Sequence, residues 1–285
     1  MRSKGGHQNR GGYHVFGIVI FILAITCLVQ PAKTNAQHSS SGSPGNDDFI
    51  VPSRPTVSQP ADIQKVGVLQ LEFGLNAGFD AKGFRNQQTT PLALRFAALS
   101  RFLLAFQLLA VRSQADLMGR RTTGVGGTIT GIQALAFKKT GYPTFAFAYE
   151  AKLLPTSKVE KLASGRVEHR ALLLISDKLG GFDLTFNAAY LNVARKDSRR
   201  RADGGQFALA FDYEFGNHFG VTGELAGQSL EYTQPRGLYP LVAVTYQVNR
   251  RLRFDAGLQF GIGAQAPRVA ILAGVVVGIA DLYGK

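Results

Sequence analysis

Twelve charged residues share one feature: each lies at an alternate position of a segment whose remaining positions are largely apolar. They are Glu72, Arg95, Glu150, Lys152, Glu168, Arg170, Asp183, Asp212, Glu214, Glu224, Arg253 and Asp255. Successive side chains of a β-strand point to opposite faces, so these charges are predicted on the polar face of their strands. Because acids and bases are mixed, two interpretations stay open. The charges could pair and fill a lumen, or they could line a pore that selects solutes by charge.

The histidine and serine residues favour no catalytic site. A serine hydrolase needs a histidine within hydrogen-bond reach of the serine and a polar group that orients the histidine. His169 falls on the apolar face by alternation, and His218 lies in a predicted short turn. The glycine-rich stretch 124–127 lacks the Lys-Ser/Thr pair of a phosphate loop, and the histidines are too scattered for a metal site. The sequence therefore predicts no enzyme, and no catalytic residue, cofactor or metal.

Part of the net charge of +13 comes from basic clusters between the alternating segments. The largest cluster contains Arg195, Lys196, Arg199, Arg200 and Arg201. A nucleic-acid site would add interleaved aromatic residues and a recognition element, which this cluster lacks. Arginine pairs well with phosphate groups, so we expect these residues to contact lipopolysaccharide on the external side of a membrane.

The segments that carry the charges have a period of two. In residues 205–215, the apolar Phe207, Leu209 and Phe211 are separated by small residues. This alternation predicts β-strands with one apolar face. The predicted strands cover residues 68–79, 91–98, 102–111, 127–137, 144–154, 166–176, 181–193, 205–215, 219–228, 238–247, 252–262 and 269–280. Residues 98–111 also fit helical spacing, so their assignment depends on the neighbouring segments.

The links between the segments indicate how the strands are arranged. Alternate links are short, such as 99–101 and 249–251, whereas most of the others are longer, such as 80–91 and 194–204. Short periplasmic turns, longer external loops and an even strand number are typical of bacterial outer-membrane barrels. A soluble β-sandwich also has alternating strands but gives no reason for this rhythm. We predict an all-β fold, an antiparallel transmembrane β-barrel of about 12 strands in the outer membrane.

The first residues predict export. A basic start that includes Arg2 precedes the apolar stretch 15–29, and Thr34-Asn35-Ala36 offers small residues at a cleavage site. The following residues are rich in Ser, Pro, Gly and Asn and have little periodicity, which is typical of flexible segments. The predicted organisation is a signal peptide over residues 1–36, a flexible N-terminal segment over 37–64 and the barrel over 65–285.

Four stretches resemble a known family, among them residues 94–108, which resemble its second hairpin, and residues 124–137, which resemble its glycine-rich third segment. Residues 54–74, RPTVSQPADIQKVGVLQLEFG, resemble the start of outer-membrane β-barrel proteins described as "putative MetA-pathway of phenol degradation" and "putative β-barrel porin". Gln70 and Glu72 match the first-strand pattern of that family, and residues 246–279 resemble its closing hairpin. Gly127 stands where the family usually has an acidic residue. The resemblance covers residues 52–280 and implies a channel or transporter-like protein, with small aromatic or hydrophobic molecules as candidate cargo.

These observations predict a passive outer-membrane channel or transporter for small solutes. The alternative from another class is a structural or surface-interaction barrel whose lumen is closed. A lipid enzyme of the outer membrane would need a polar catalytic cluster near a rim, which the sequence does not offer. The expected partners are outer-membrane lipid, lipopolysaccharide, the outer-membrane assembly machinery and an unidentified small-molecule cargo, with no nucleic acid among them.

Overall fold

The computed structural model describes residues 49–153, 167–195, 200–263 and 265–284. These residues form strands β1 (Val68–Ala81), β2 (Phe84–Leu99), β3 (Phe102–Ala115), β4 (Arg121–Gly124), β5 (Thr128–Phe137), β6 (Thr144–Leu153), β7 (Val167–Leu179), β8 (Phe182–Ala194), β9 (Arg201–Phe215), β10 (Phe219–Gln228), β11 (Gly237–Asn249), β12 (Leu252–Phe260) and β13 (Val269–Asp281). Within the described ranges, no helix is long and apolar enough to cross a membrane.

The strands close into a ring. Apart from β4, each strand pairs antiparallel with its neighbours along the chain, and β1 pairs with β13 to complete the circle. Strand β4 pairs only with the C-terminal end of β3, residues 112–115, whereas β5 pairs with the preceding part of β3, residues 102–108. Strands β4 and β5 therefore lie one after the other along the same side of β3. Closure pairs the twelve strands other than β4 on both sides, and in lipid the backbone polar groups need such internal hydrogen bonds. The prediction of an all-β, twelve-stranded antiparallel barrel is therefore confirmed.

The apolar side chains lie on the outside of the barrel. In β9, Phe207 and Leu209 are 40% and 49% exposed, whereas the alternating Ala208 and Ala210 are each 1% exposed. A soluble barrel would bury the larger residues and expose the smaller ones. An outward band of large apolar side chains is typical of a barrel whose outer surface contacts the hydrocarbon of a bilayer.

Two ends of the barrel can be distinguished by their links. The short-turn end carries the links 100–101, 138–143, 180–181, 216–218 and 250–251, and the loop end carries the remaining ones. The turn between β7 and β8 consists of Gly180 and Gly181, both with positive φ (58° and 90°). A two-residue hairpin turn of this kind requires positive φ at both positions, which glycine adopts without strain. Aromatic pairs gather at this end, such as Phe219 and Tyr246, whose ring centroids are 4.9 Å apart.

Strand β2 begins earlier than predicted. The sequence predicted a long link over residues 80–91, but the chain turns at Lys82-Gly83 and β2 already starts at Phe84. Pro91 has no N–H to donate, and the β2–β3 register shifts between Thr90 and Pro91 to accommodate it. Most of the stretch with helical spacing forms strand β3, and the predicted loop 112–126 contains the end of β3 and the whole of β4. The predicted link 155–165 lies outside the described residues.

Candidate functional site: a lumen entered from both ends

Residues 49–65, which we call the inner segment, lie inside the barrel. The segment begins and ends at the short-turn end, where Phe49 packs against the Arg251 guanidinium at 4.5 Å and Lys65 Nζ lies 2.6 Å from Asp281 Oδ2. Between these points the segment extends toward the loop end as far as the middle of β10, where it contacts Glu224. The described part of the chain before β1 is therefore a loop within the lumen.

Polar side chains of β1 and β2 hold the first part of the inner segment. Val51 donates its N–H to Gln70 Oε1 at 2.9 Å, and its carbonyl accepts from Arg95 Nη1 at 2.6 Å. The Glu72 carboxylate accepts from Ser53 N at 3.1 Å and from Ser53 Oγ at 2.8 Å, while Arg95 Nη1 lies 3.5 Å from Glu72 Oε1. Two inward charges that the sequence singled out thus bind the segment as well as each other.

The top of the inner segment is held by one carboxylate. Glu224 of β10 accepts from Val57 N at 2.9 Å and from Ser58 N at 2.7 Å, and Glu224 is only 4% exposed. Asn187 of β8 accepts from Gln59 N at 2.6 Å and donates to Gln59 O at 2.9 Å. The backbone groups of the inner segment are not part of the sheet. Side chains of β8 and β10, across the barrel from β1, provide their hydrogen bonds here.

The descending part of the segment is fixed in the same way. Gln133 Nε2 donates to Pro60 O and Ala61 O, each at 3.0 Å, and Ala61 N donates to Ser176 Oγ at 2.9 Å. Ile63 packs in an apolar cluster with Ala97 and Leu103 near the short-turn end. The sequence did not predict this placement of residues 49–64; the flexibility predicted for 37–64 stays a prediction, and 37–48 lie outside the described residues.

Two glycines make room for Arg54. A Cβ on Gly74 or on Gly274 would overlap the Arg54 guanidinium group. Arg54 Nη2 contacts Ala273 O at 3.1 Å and Asp255 Oδ1 at 3.5 Å. The Arg54 side chain therefore lies flat on a bare stretch of the barrel wall.

We expect Gly274→Ala to destabilise the protein because the new methyl would force Arg54 off the wall. Overpacking of this kind typically costs about 1–3 kcal/mol. The measurement is the free energy of unfolding in detergent, with Gly205→Ala as the matched control because its Cβ would meet nothing nearer than Ala189 O at 3.7 Å. Arg54→Ala should cost less in the Gly274→Ala background than in the wild type. Simple addition of the two effects would contradict the assigned contact.

A second segment enters the lumen from the loop end. The link 229–236 between β10 and β11 places Tyr232 among Ile129, Leu191 and Val193, with Tyr232 only 2% exposed. The Tyr232 ring lies 5.4 Å from Lys152 Nζ and 5.1 Å from the Arg170 guanidinium carbon. Lys152 Nζ also donates to Tyr232 O at 2.6 Å. Burial raises the pKa of Tyr232, so its hydroxyl stays neutral.

The two intruding segments meet at one ion pair. Arg170 Nη2 lies 2.6 Å from Glu150 Oε2, and both residues are buried. Gln59 of the inner segment donates its Nε2 to Glu150 Oε1 at 2.6 Å, while Tyr232 stacks on Arg170 from the other end. The pair therefore connects the two segments across the lumen.

Between the inner segment and the loop end, the barrel contains a cavity of about 1130 Å³. Its floor includes Arg54 and Val57, its wall includes Asn76 and Gln259, and Tyr232 lies at its side. Its volume slightly exceeds the roughly 300–1,000 Å³ that is typical of small-molecule sites in proteins. The cavity is large enough for a small solute but ends at the inner segment.

The remaining charges predicted on the inward face lie in smaller groups. Lys152 Nζ is 3.4 Å from Glu168 Oε2 beside the cavity. Near the short-turn end, Arg253 Nη2 is 3.9 Å from Asp212 Oδ1. Asp183 pairs with the exposed Lys178 at 3.1 Å, and Glu214 is exposed. The structure thus brings most of the twelve predicted residues into contact with a charge of opposite sign or with the inner segment, and Glu214 stands apart from them.

The basic cluster after β8 is described only in part. Lys196 and Arg199 lie outside the described residues. Arg195 N donates to Arg200 O at 3.2 Å, and Arg201 Nη2 donates to the carbonyls of Val167 and Asn192, each at 2.8 Å. Contact of this cluster with lipopolysaccharide remains a prediction.

His169 has a tyrosine rather than a serine as its partner. Its Nδ1 lies 2.6 Å from the Tyr149 hydroxyl, and the two rings stack at 6.0 Å on the outward face. Among the described residues, no group of three histidine, cysteine or acidic side chains could hold a metal ion.

Comparisons with known proteins agree with the fold. A model of the family described as "Putative MetA-pathway of phenol degradation" matches residues 52–278, which confirms the predicted resemblance. An outer-membrane channel from Pseudomonas putida F1 is 12% identical over 80% of this chain and 99% of its own, with a TM-score of 0.53. The KdgM porin is 11% identical over 74% and 99%, with a TM-score of 0.50.

A third structure of similar outline is the outer-membrane phospholipase A from Escherichia coli. It is 12% identical over 83% of this chain and 97% of its own, with a TM-score of 0.44. No curated protein matches the sequence. At such low identities the similarity to the P. putida channel and to KdgM shows the fold alone, which is that of an outer-membrane β-barrel.

Proposed function

The chain belongs to the family whose model matches residues 52–278, and we propose that it is an outer-membrane channel for small solutes. The observation that carries the proposal is the cavity of about 1130 Å³ inside a closed barrel. Its wall mixes charged, amide and hydroxyl groups with small residues, so a hydrated solute can be accommodated there. A barrel that served only as a scaffold would have no need of such a space.

Passage through the barrel requires movement of the inner segment. The cavity ends on residues 53–59, and the segment's hydrogen bonds lead to β1, β2, β5, β6, β7, β8 and β10. These contacts are mainly polar, and water can replace polar contacts at modest net cost, unlike apolar packing. We therefore propose that the inner segment is the gate of the channel and that its position in the lumen corresponds to the closed state.

The location follows from the same proposal. A signal peptide over residues 1–36 would deliver the chain to the outer membrane. The short-turn end would then face the periplasm and the loop end the outside, as in other bacterial barrels. The arginines after β8 would lie among lipopolysaccharide phosphates.

The second candidate is a structural barrel with a closed lumen. It is favoured by the number of buried polar contacts that the inner segment makes around the wall. Under this reading, the Glu150–Arg170 pair and its neighbours fasten the two segments permanently. The two functions differ in whether the segment ever leaves its place.

Conductance of the purified protein in a planar lipid bilayer tests the proposal. We expect discrete current steps. The steps should be brief if the inner segment stays in its place in the lumen most of the time. Heat-modifiable migration on gels provides the control that the sample is folded. A folded sample that gives no steps at any voltage would rule out the channel in favour of the structural barrel.

A further inference from the structure

The pocket around Tyr232 has the composition of a binding site for an aromatic ring. Its walls are the apolar side chains of Ile129, Leu191 and Val193. Two cations, Lys152 Nζ and the Arg170 guanidinium, lie within about 6 Å of the ring centroid, the range of cation–π attraction. An aromatic group is thus recognised here by apolar contact and by positive charge together.

The tyrosine fills this pocket imperfectly. Its hydroxyl oxygen is buried and has no hydrogen-bond partner among the described residues. The ammonium group of Lys152 donates to the backbone carbonyl of Tyr232 and lies 3.4 Å from Glu168 Oε2, and the tyrosine ring offers it no acidic group. An aromatic molecule with a negative substituent could occupy the same pocket and accept a charge-assisted hydrogen bond from Lys152.

The charge around the pocket favours anions. Among the described residues that line the adjoining cavity, seven are lysine or arginine and four are aspartate or glutamate. Two of the acids pair with cations of the same lining, Asp116 with Arg120 and Glu168 with Lys152, which leaves five cations and two acids. A basic surplus in a low-dielectric cleft raises the local concentration of anions.

The segment that carries Tyr232 is fastened mainly by a few hydrogen bonds. Tyr239 Oη donates to Pro235 O at 2.5 Å, and Gln234 Nε2 lies 3.4 Å from Gln259 Oε1. Gln228 Nε2 donates to Gln234 O, and the neighbouring Glu231 and Thr233 are exposed. Outward movement of Tyr232 would break these bonds and the bond from Lys152 Nζ to Tyr232 O, but none of the pairings between β10 and β11.

We propose that the Tyr232 pocket is the solute site of the channel and takes a small aromatic anion, such as an aromatic carboxylate, in place of the tyrosine ring. This inference rests on the proposed function and names its solute class. Tyr232 then acts as an internal competitor that occupies the site while no solute is present.

Benzoate binding to detergent-purified protein tests the proposal. Tyr232→Ala should bind benzoate at least tenfold more tightly than the wild type by calorimetry, since the competing ring is removed. Tyr190→Ala is the control: Tyr190 lies on β8 beside the pocket residue Leu191, but its side chain is on the outward face and 54% exposed. It should bind benzoate no better than the wild type. Adding Lys152→Met to Tyr232→Ala should abolish most of the gain.

Two probes separate the features of the ligand. Cyclohexanecarboxylate has the charge without the aromatic ring, and benzyl alcohol has the ring without the charge. Both should bind Tyr232→Ala much more weakly than benzoate. Equal binding of cyclohexanecarboxylate would overturn the aromatic requirement, and equal binding of benzyl alcohol would overturn the requirement for an anion.

If Tyr232→Ala does not fold, a second measurement on the wild-type protein tests the proposal. Saturating benzoate should displace the ring and increase tryptic cleavage after Arg236, whereas acetate should not. Unchanged cleavage would overturn the proposal. Failure of the channel itself would look different, because the bilayer would then show no current steps in any variant. Current steps together with no benzoate effect would leave the channel intact and reject this site.

Discussion

Glu224→Ala should open the channel. The substitution removes the acceptor of Val57 N and Ser58 N at the top of the inner segment, where Ser58 is only 2% exposed. Each buried N–H left without a partner costs about 1–3 kcal/mol, and 1.4 kcal/mol corresponds to a tenfold change in an equilibrium. We therefore expect the open fraction in single-channel recordings to rise at least tenfold. The barrel itself should stay closed, because the β10 backbone pairs with β9 and β11 independently of this side chain.

Two further variants sharpen this result. Glu224→Gln keeps an amide oxygen that can accept from the same N–H groups, so its open fraction should lie between those of the wild type and Glu224→Ala. Glu214→Ala removes an acidic side chain that is exposed near the short-turn end of β9, and its recordings should match the wild type. If Glu224→Ala lowered the free energy of unfolding but left the open fraction unchanged, the inner segment would stabilise the barrel without controlling passage through it.

The strand pattern could be predicted because the bilayer imposes it on the sequence. In β9 every outward position from Phe207 to Phe215 is large and apolar, and the inward Ala208 and Ala210 leave space in the lumen. Outward and inward positions obey such different rules that a period of two survives along most of the chain. Most strand positions and the closed architecture follow from that contrast.

The start of β2 could not be predicted because the contrast disappears there. Residues 84–91 read FRNQQTTP, with polar side chains at both inward and outward positions. The strand exists because β1 and β3 flank it, with Asn86 opposite Phe79 on one side and Ala115 on the other. Pairing between strands, which sequence alone does not show, overrides the local pattern.

The inner segment escaped prediction for a different reason. The segment mixes polar residues and prolines with scattered apolar residues, so it has no periodicity. Its partners also lie far away in sequence: Arg54 and Ala273 are 219 positions apart. A signal was nevertheless present on the partner strands. Inward amides such as Gln70 and Gln133 need hydrogen-bond partners inside a barrel, and inward glycines such as Gly74 and Gly274 leave room for a side chain. Together they indicate an occupied lumen.

Leu209→Arg should destabilise the barrel strongly. Leu209 lies in the middle of β9, opposite Phe186 and Leu225, and its side chain is 49% exposed on the apolar outer surface. If that surface meets the bilayer centre, an arginine there costs roughly 2–4 kcal/mol, and near the interface the cost falls to about 0–1 kcal/mol. Chemical unfolding in lipid vesicles measures this difference in the free energy of unfolding.

Two other positions on the same strand decide between lipid and water as the surroundings. Tyr213→Arg lies on the same face but nearer the short-turn end, so it should cost much less than Leu209→Arg. Ala210 points inward and is 1% exposed, opposite Glu224 and Thr185, so Ala210→Arg should be limited by space in the lumen and should disturb the gate. A steep dependence on depth for the outward positions is the signature of a bilayer. If arginine cost the same at Leu209 and Tyr213, the outer surface would not be in contact with hydrocarbon, and the outer-membrane topology proposed above would fail with it.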